Sequence, residues 1–142
     1  KIAAYAQGFA VLEAASKEFS WNLPMATIAR IWRAGCIIRS QFLDTIATAY
    51  EENKGLASLL AAPAFVAMMQ AATPALRHIV ARGAQDALPS PALSSALSYF
   101  DSYRQARGTA NLIQAQRDYF GAHGFERLDS PGMFHGPWGG AQ

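Results

Sequence analysis

Apolar side chains recur along this chain at helical spacing, and no stretch alternates long enough to read as a strand. Ile2, Tyr5, Phe9 and Leu12 fall three or four residues apart, which predicts an amphipathic helix over residues 1–19. Gly8 inside it leaves room for a close helix crossing. Trp21-Asn22-Leu23-Pro24 is a break, with Asn22 as a good N-cap and a proline that a first turn tolerates. A second helix is expected over 24–34 with Ile28, Ile31 and Trp32 inward and Arg30 and Arg33 elsewhere. A third is expected over 37–53, striped by Phe42, Leu43, Ile46 and Tyr50 and ended by Asn53-Lys54-Gly55. A short helix over 56–61 leads to Pro63. Residues 64–86 are again helical, with Pro74 either kinking that helix or starting a new one. Leu88-Pro89-Ser90-Pro91 is a linker. A helix from 91 to about 107 follows, and Gly108-Thr109 separates it from a last one over 110–121.

The fold class is therefore all-α, a bundle of about seven or eight helices over residues 1–123 with an extended tail over 124–142. The tail holds Pro131, Pro137 and four glycines from Gly132 on, which forbid a stable helix, yet Phe125, Met133, Phe134 and Trp138 are strongly apolar. Such a segment docks or is disordered, and docking on a partner is the expectation. At the other end, Lys1 has no Met and no capping residue before a chain already in helical register, so the sequence reads as a fragment of a longer helix and protein.

Composition narrows the function. A length of 142 residues suffices for a real core, and a net charge of +2, from 12 basic and 10 acidic residues, gives no reason to expect nucleic acid or an anionic membrane as partner. A helix-turn-helix reading of residues 1–34 fails because the prospective recognition helix is rich in Ile and Trp rather than in donors for base edges. No apolar run reaches the roughly 20 residues of a membrane span and no signal peptide is visible, so a soluble, cytoplasmic chain is expected. The single cysteine, Cys36, reads as a small buried hydrophobe in an apolar run.

Candidate chemistry concentrates in Ala110-Asn111-Leu112-Ile113-Gln114-Ala115-Gln116-Arg117-Asp118-Tyr119-Phe120-Gly121-Ala122-His123. A guanidinium grips a phosphate or carboxylate in a planar, bidentate manner, and an imidazole adds a donor that strengthens as it charges. On a continuous helix six residues would separate Arg117 and His123 by roughly 240°. Gly121, ready to take the left-handed conformation that ends a helix, would turn His123 back toward the ligand side. By residues alone two readings stand: half of an anion site, or exposed bridges to Asp118 and Glu126. His78, beside Leu76, Ile79 and Val80 with no second ligand at metal spacing, reads as structural, and His135 as a tail-positioning residue. Arg30, Arg33 and Arg39 are expected to pair with Glu13, Glu18, Asp44 or Glu51 rather than to bind an anion. No metal motif, nucleophile elbow, Gly-rich phosphate loop or G-x-G-x-x-G is present.

The same run closely resembles the C-terminal signature of the decarboxylating 6-phosphogluconate dehydrogenases. So do Tyr5-Ala6-Gln7-Gly8-Phe9, Ile28-Ala29-Arg30-Ile31-Trp32-Arg33, Gly35-Cys36-Ile37-Ile38-Arg39 and Tyr99-Phe100-Asp101-Ser102-Tyr103-Arg104, in that order along the chain. The resemblance implies a cytoplasmic homodimer that oxidises 6-phosphogluconate with NADP in the pentose phosphate pathway and releases CO2. It further implies that Arg117 and His123 reach into the neighbouring subunit's active site to bind the sugar phosphate, and that the tail crosses into that subunit. The family's cofactor domain, catalytic Lys and catalytic Glu precede this segment, so this chain alone is expected to be inactive and to carry no NADP site. The alternative is a free-standing helical oligomerisation or regulatory module derived from that enzyme.

Overall fold

A computed structural model of the chain describes residues 1–35, 37 and 40–138. Six α-helices and one 3-10 turn follow in order among the described residues: α1 (Ile2–Glu18), α2 (Met25–Gly35), α3 (Phe42–Glu52), the turn Leu59–Ala61, α4 (Pro63–Gln85), α5 (Pro91–Tyr103) and α6 (Ala110–Gly121). A minimal hairpin closes the chain, β1 (Phe125–Glu126) pairing antiparallel with β2 (Met133–Phe134), Phe125 opposite Phe134. The architecture is all-α. The chain divides into two compact units, Lys1–Asp101 and Ser102–Gln142.

The first unit is built on the predicted stripes. Ile2, Ala6 and Phe9 of α1, Ala29 of α2, and Leu43, Ile46 and Tyr50 of α3 are buried together with Leu59, Phe65 and Met69. Phe9 is fully enclosed, its ring edge-on to Trp32 at 5.3 Å and stacked on Tyr50 at 5.6 Å. Across the α2–α3 pair, Arg30 bridges Glu51 and Arg33 bridges Asp44, both at 2.5 Å, so these cations pair as expected. Exposed bridges of this kind are screened by water, so they orient the pair more than they stabilise it. A bidentate contact from Arg77 to Asp101 ties α4 to α5.

Several boundaries differ from expectation for local reasons. Ile31 is 63% exposed, not inward. Met25, Ile28, Ala29 and Trp32 already fill the i, i+3, i+4, i+7 face, and Ile31 lies about a third of a turn away from it. Asn22 does not cap α2; it takes a left-handed backbone and its amide reaches back to the Ser20 carbonyl, while the helix starts at Met25 directly after Pro24. α3 starts at Phe42, with Ile37 almost fully exposed ahead of it. No described residue crosses α1 at Gly8, where an added Cβ would meet nothing within 4 Å. α4 runs through Pro74 as one element, and the Thr73 hydroxyl donates to the Met69 carbonyl one residue before the missing N–H. α5 stops at Tyr103, where the Gln105 N–H bonds the Ser102 carbonyl in a tight turn. The expected burial of Cys36, any pairing of Arg39 and the tail beyond Trp138 lie outside the described residues. No described helix is long and apolar enough to cross a membrane.

A cationic cleft and a carboxylate clamp in the C-terminal unit

The second unit is organised by the last turn of α6. Adjacent helical residues point about 100° apart, so Arg117 and Asp118 face different surroundings. Arg117 is exposed and its guanidinium donates to Gln114 Oε1 at 2.7 Å, one turn back on the same face. Asp118 is buried.

Helix α6 ends through a left-handed residue, but that residue is Ala122 (φ 50°), not Gly121. The Ala122 N–H closes the helix on the Asp118 carbonyl at 2.8 Å. Gly121 instead clears space: a Cβ there would lie 2.7 Å from His123 Nε2, so only glycine lets the imidazole fold back over the helix end. Arg117 and His123 consequently border one cleft, together with Arg107, Asn111, Gln114 and Arg127 and the carboxylates of Glu126 and Asp129. Among these cations Arg127 is matched by Asp129 through a two-pronged ion pair. Among the described residues Arg117 has no carboxylate partner and His123 has no hydrogen bond. Of the alternative bridges, the one from Arg117 to Asp118 does not form, because both Asp118 oxygens accept other donors.

Four donors converge on Asp118. The Gly124 N–H (2.8 Å) and His135 Nδ1 (2.6 Å) reach Oδ1, while the Gly136 N–H (2.7 Å) and Trp138 Nε1 (2.6 Å) reach Oδ2. Gly124 has φ +71° and is buried against Met133, whose Sδ would lie 2.6 Å from an added Cβ. Trp138 also packs edge-on against Tyr119 at 5.8 Å. The tail is thus anchored to α6 at one carboxylate. Sequence reasoning placed His135 in the tail's positioning but missed the group that holds it. One signal was available: an acidic residue in a helix's last turn opposes the helix dipole and calls for compensating donors.

The Gly136 N–H above all, with the Trp138 indole, His135 and the Gly124 N–H, holds the Asp118 carboxyl well below the usual carboxylate range against the opposing effect of desolvation. A group depressed in the folded state stabilises fully above its unfolded pKa, and that contribution disappears as pH falls through the folded value. The tail clamp should therefore be unchanged from neutral pH down to about 4, the ordinary Asp value, and weaken only in stronger acid. In an NMR titration the Asp118 carboxyl carbon should show no protonation step down to that point; a protonation step of that carbon above about pH 4 would contradict the assignment.

His78 is exposed on α4 rather than packed in the core, and no group of three or more His, Cys, Asp or Glu residues among those described could hold a metal ion.

The described chain is thus a helical unit followed by a cleft and a tail clamped on one carboxylate, and its sequence holds no glycine-rich nucleotide-binding loop. The model of the 6-phosphogluconate dehydrogenase C-terminal domain matches residues 1–138, and the chain belongs to this family. It is 54% identical over 138 residues to the decarboxylating 6-phosphogluconate dehydrogenase of Klebsiella pneumoniae and 53% identical to that of Staphylococcus aureus strain N315. Each match covers 97% of this chain, which spans 30% of the length of these relatives. Among solved structures, Plasmodium falciparum 6-phosphogluconate dehydrogenase superposes with a TM-score of 0.86 at 43% identity, over 96% of this chain and 29% of that one. That enzyme is described apo, with its cofactor NADP+ and with its substrate 6-phosphogluconate.

Proposed function

We propose that this chain is the C-terminal portion of an NADP-dependent, decarboxylating 6-phosphogluconate dehydrogenase. In that cytoplasmic homodimer it supplies subunit association and a phosphate grip in trans. The reaction oxidises C3 of 6-phosphogluconate with NADP as hydride acceptor; the resulting 3-keto acid loses CO2, and the enediol tautomerises to ribulose 5-phosphate. The catalytic Lys and Glu belong to the part of the enzyme this chain does not span, so residues 1–142 by themselves do not turn substrate over. The cleft offers side-chain cations and no glycine-rich loop, which fits a phosphate ester and not a dinucleotide. No step through NADP is therefore assigned to these residues.

The observation that carries this reading is that Arg117 and His123 border one cleft, and that among the described residues neither forms an ion pair with the Glu126 or Asp129 carboxylates that line it too. A phosphate dianion answers both: the guanidinium fork takes two of its oxygens, and the imidazole donates to another. Association is supported by α6 itself, where Leu112, Ile113 and Phe120 are 63%, 56% and 80% exposed. Ile113 and Phe120, seven residues apart, lie on one side of the helix, and large apolar side chains this exposed favour a covering surface. In the dimer, α6 and the tail over residues 124–142 enter the neighbouring protomer, with residues 1–123 as the helical substrate and dimerisation part.

A crystal structure of the full-length enzyme with 6-phosphogluconate tests this: Arg117 and His123 should lie within about 2.7–3.2 Å of phosphate oxygens bound by the other protomer. A substrate phosphate held without either side chain would refute it. Gly121→Ala gives a second test. The added methyl displaces the imidazole while improving helix propensity, so thermal stability should hold or rise as the 6-phosphogluconate KM increases. An unchanged KM would show that the folded-back ring has no part in binding.

A further inference from the structure

Arg117 and His123 belong to different backbone environments, one helical and one beyond a left-handed turn, and something must fix their relative position. The helix alone cannot, because its last hydrogen bond ends at Ala122. The next tie along the chain is the Gly124 N–H on Asp118 Oδ1, immediately after His123. His123 is thus bracketed by two bonds to the same residue, Ala122 N–H to the Asp118 carbonyl and Gly124 N–H to its side chain. That residue directly follows Arg117. The other three donors to this carboxylate, His135, Gly136 and Trp138, come from the tail.

We propose that Asp118 is a positioning residue for substrate binding: by bracketing His123 and pinning the tail at one buried carboxylate, it fixes His123 against Arg117 across the phosphate cleft. The proposal rests on the phosphate-grip reading above and deepens it. Asp118 touches no substrate; it acts through its two neighbours. The donor count makes the carboxylate irreplaceable by an amide. Each oxygen accepts two hydrogen bonds and Asn has a single oxygen, so its NH2 group faces either the Gly136 N–H and the Trp138 indole or, since the His135 ring nitrogen can switch tautomer and accept, at least the Gly124 N–H. The turn bearing His123 then loses its outer tie, or the tail does.

The test uses steady-state kinetics of the full-length enzyme. Asp118→Asn should raise the 6-phosphogluconate KM roughly tenfold and leave the NADP KM unchanged. In an Arg117→Ala/His123→Ala background the same substitution should add less than about twofold, because a residue that acts only through those side chains has nothing left to position. Fully additive effects would overturn the proposal. So would a 6-phosphogluconate KM unmoved by Asp118→Asn while Arg117→Ala raises it, a result that leaves the phosphate grip standing. If Arg117→Ala itself changes nothing, both readings fall. Should Asp118→Asn fail to fold, Trp138→Phe decides. It removes one of the four donors and keeps an aromatic ring beside Tyr119, so the 6-phosphogluconate KM should rise about threefold with kcat retained. No rise in that variant would overturn the positioning role.

Discussion

Arg117→Ala in the full-length enzyme should raise the KM for 6-phosphogluconate about 10- to 100-fold, because a charge-assisted hydrogen bond contributes about 1.5–3 kcal/mol. The NADP KM should change far less. The argument is local: Arg117 is exposed, it borders the cleft, and its only bond among the described residues is to the neutral Gln114 rather than to a carboxylate. Removing it leaves the folded state nearly untouched and the substrate's phosphate short of its strongest partner. The loss should therefore appear in substrate affinity with little change in thermal stability. Arg117→Lys should recover only part of it, since a point charge cannot reproduce the bidentate fork. An unchanged 6-phosphogluconate KM in Arg117→Ala would refute the assignment.

Phe9→Ala should destabilise the helical unit by about 3–5 kcal/mol, the range for emptying a fully buried aromatic site. Phe9 has no exposed surface, and its ring lies between Trp32 of α2 and Tyr50 of α3, so its loss separates three helices at once. Equilibrium denaturation should show a large drop in midpoint. Phe19→Ala provides the contrast: that ring is 60% exposed and rests mainly on Trp21, so the change should stay within roughly 0.5 kcal/mol. Equal costs at the two sites would contradict the location of the core.

The helices were legible in the sequence wherever one apolar stripe had a single partner face. Leu43, Ile46 and Tyr50 mark α3, and Ile2, Phe9 and Leu12 mark α1, because 3.6-residue periodicity encodes burial directly. Ile31 misled because an apolar residue beside a stripe carries no sign of whether it faces in or out. Helix ends were harder. α1, α4 and α6 close through left-handed Ser20, Ala87 and Ala122, none of them glycine, and the usual sequence signal is absent at all three. At α6 this reversed the role of Gly121, which clears room for His123 instead of making the turn. Asp118 was hidden for a related reason: between Arg117 and Tyr119 it reads as a surface charge, and its four donors lie 6 to 20 residues away along an irregular tail. Arg117 and His123 could be singled out by their chemistry, but only the folded turn reveals that they share a cleft.

Subunit complementation tests the central claim most directly. One full-length variant would carry Arg117→Ala with an intact catalytic Lys, and the other would carry wild-type Arg117 with that Lys replaced. If the guanidinium serves the neighbouring subunit, each mixed dimer contains one site with both defects and one with neither. Mixing and reassociation should then restore activity with a normal 6-phosphogluconate KM. If Arg117 serves its own subunit, or no site at all, every site in the mixed dimer is as impaired as in its parent, and no activity beyond the average of the two parents would appear.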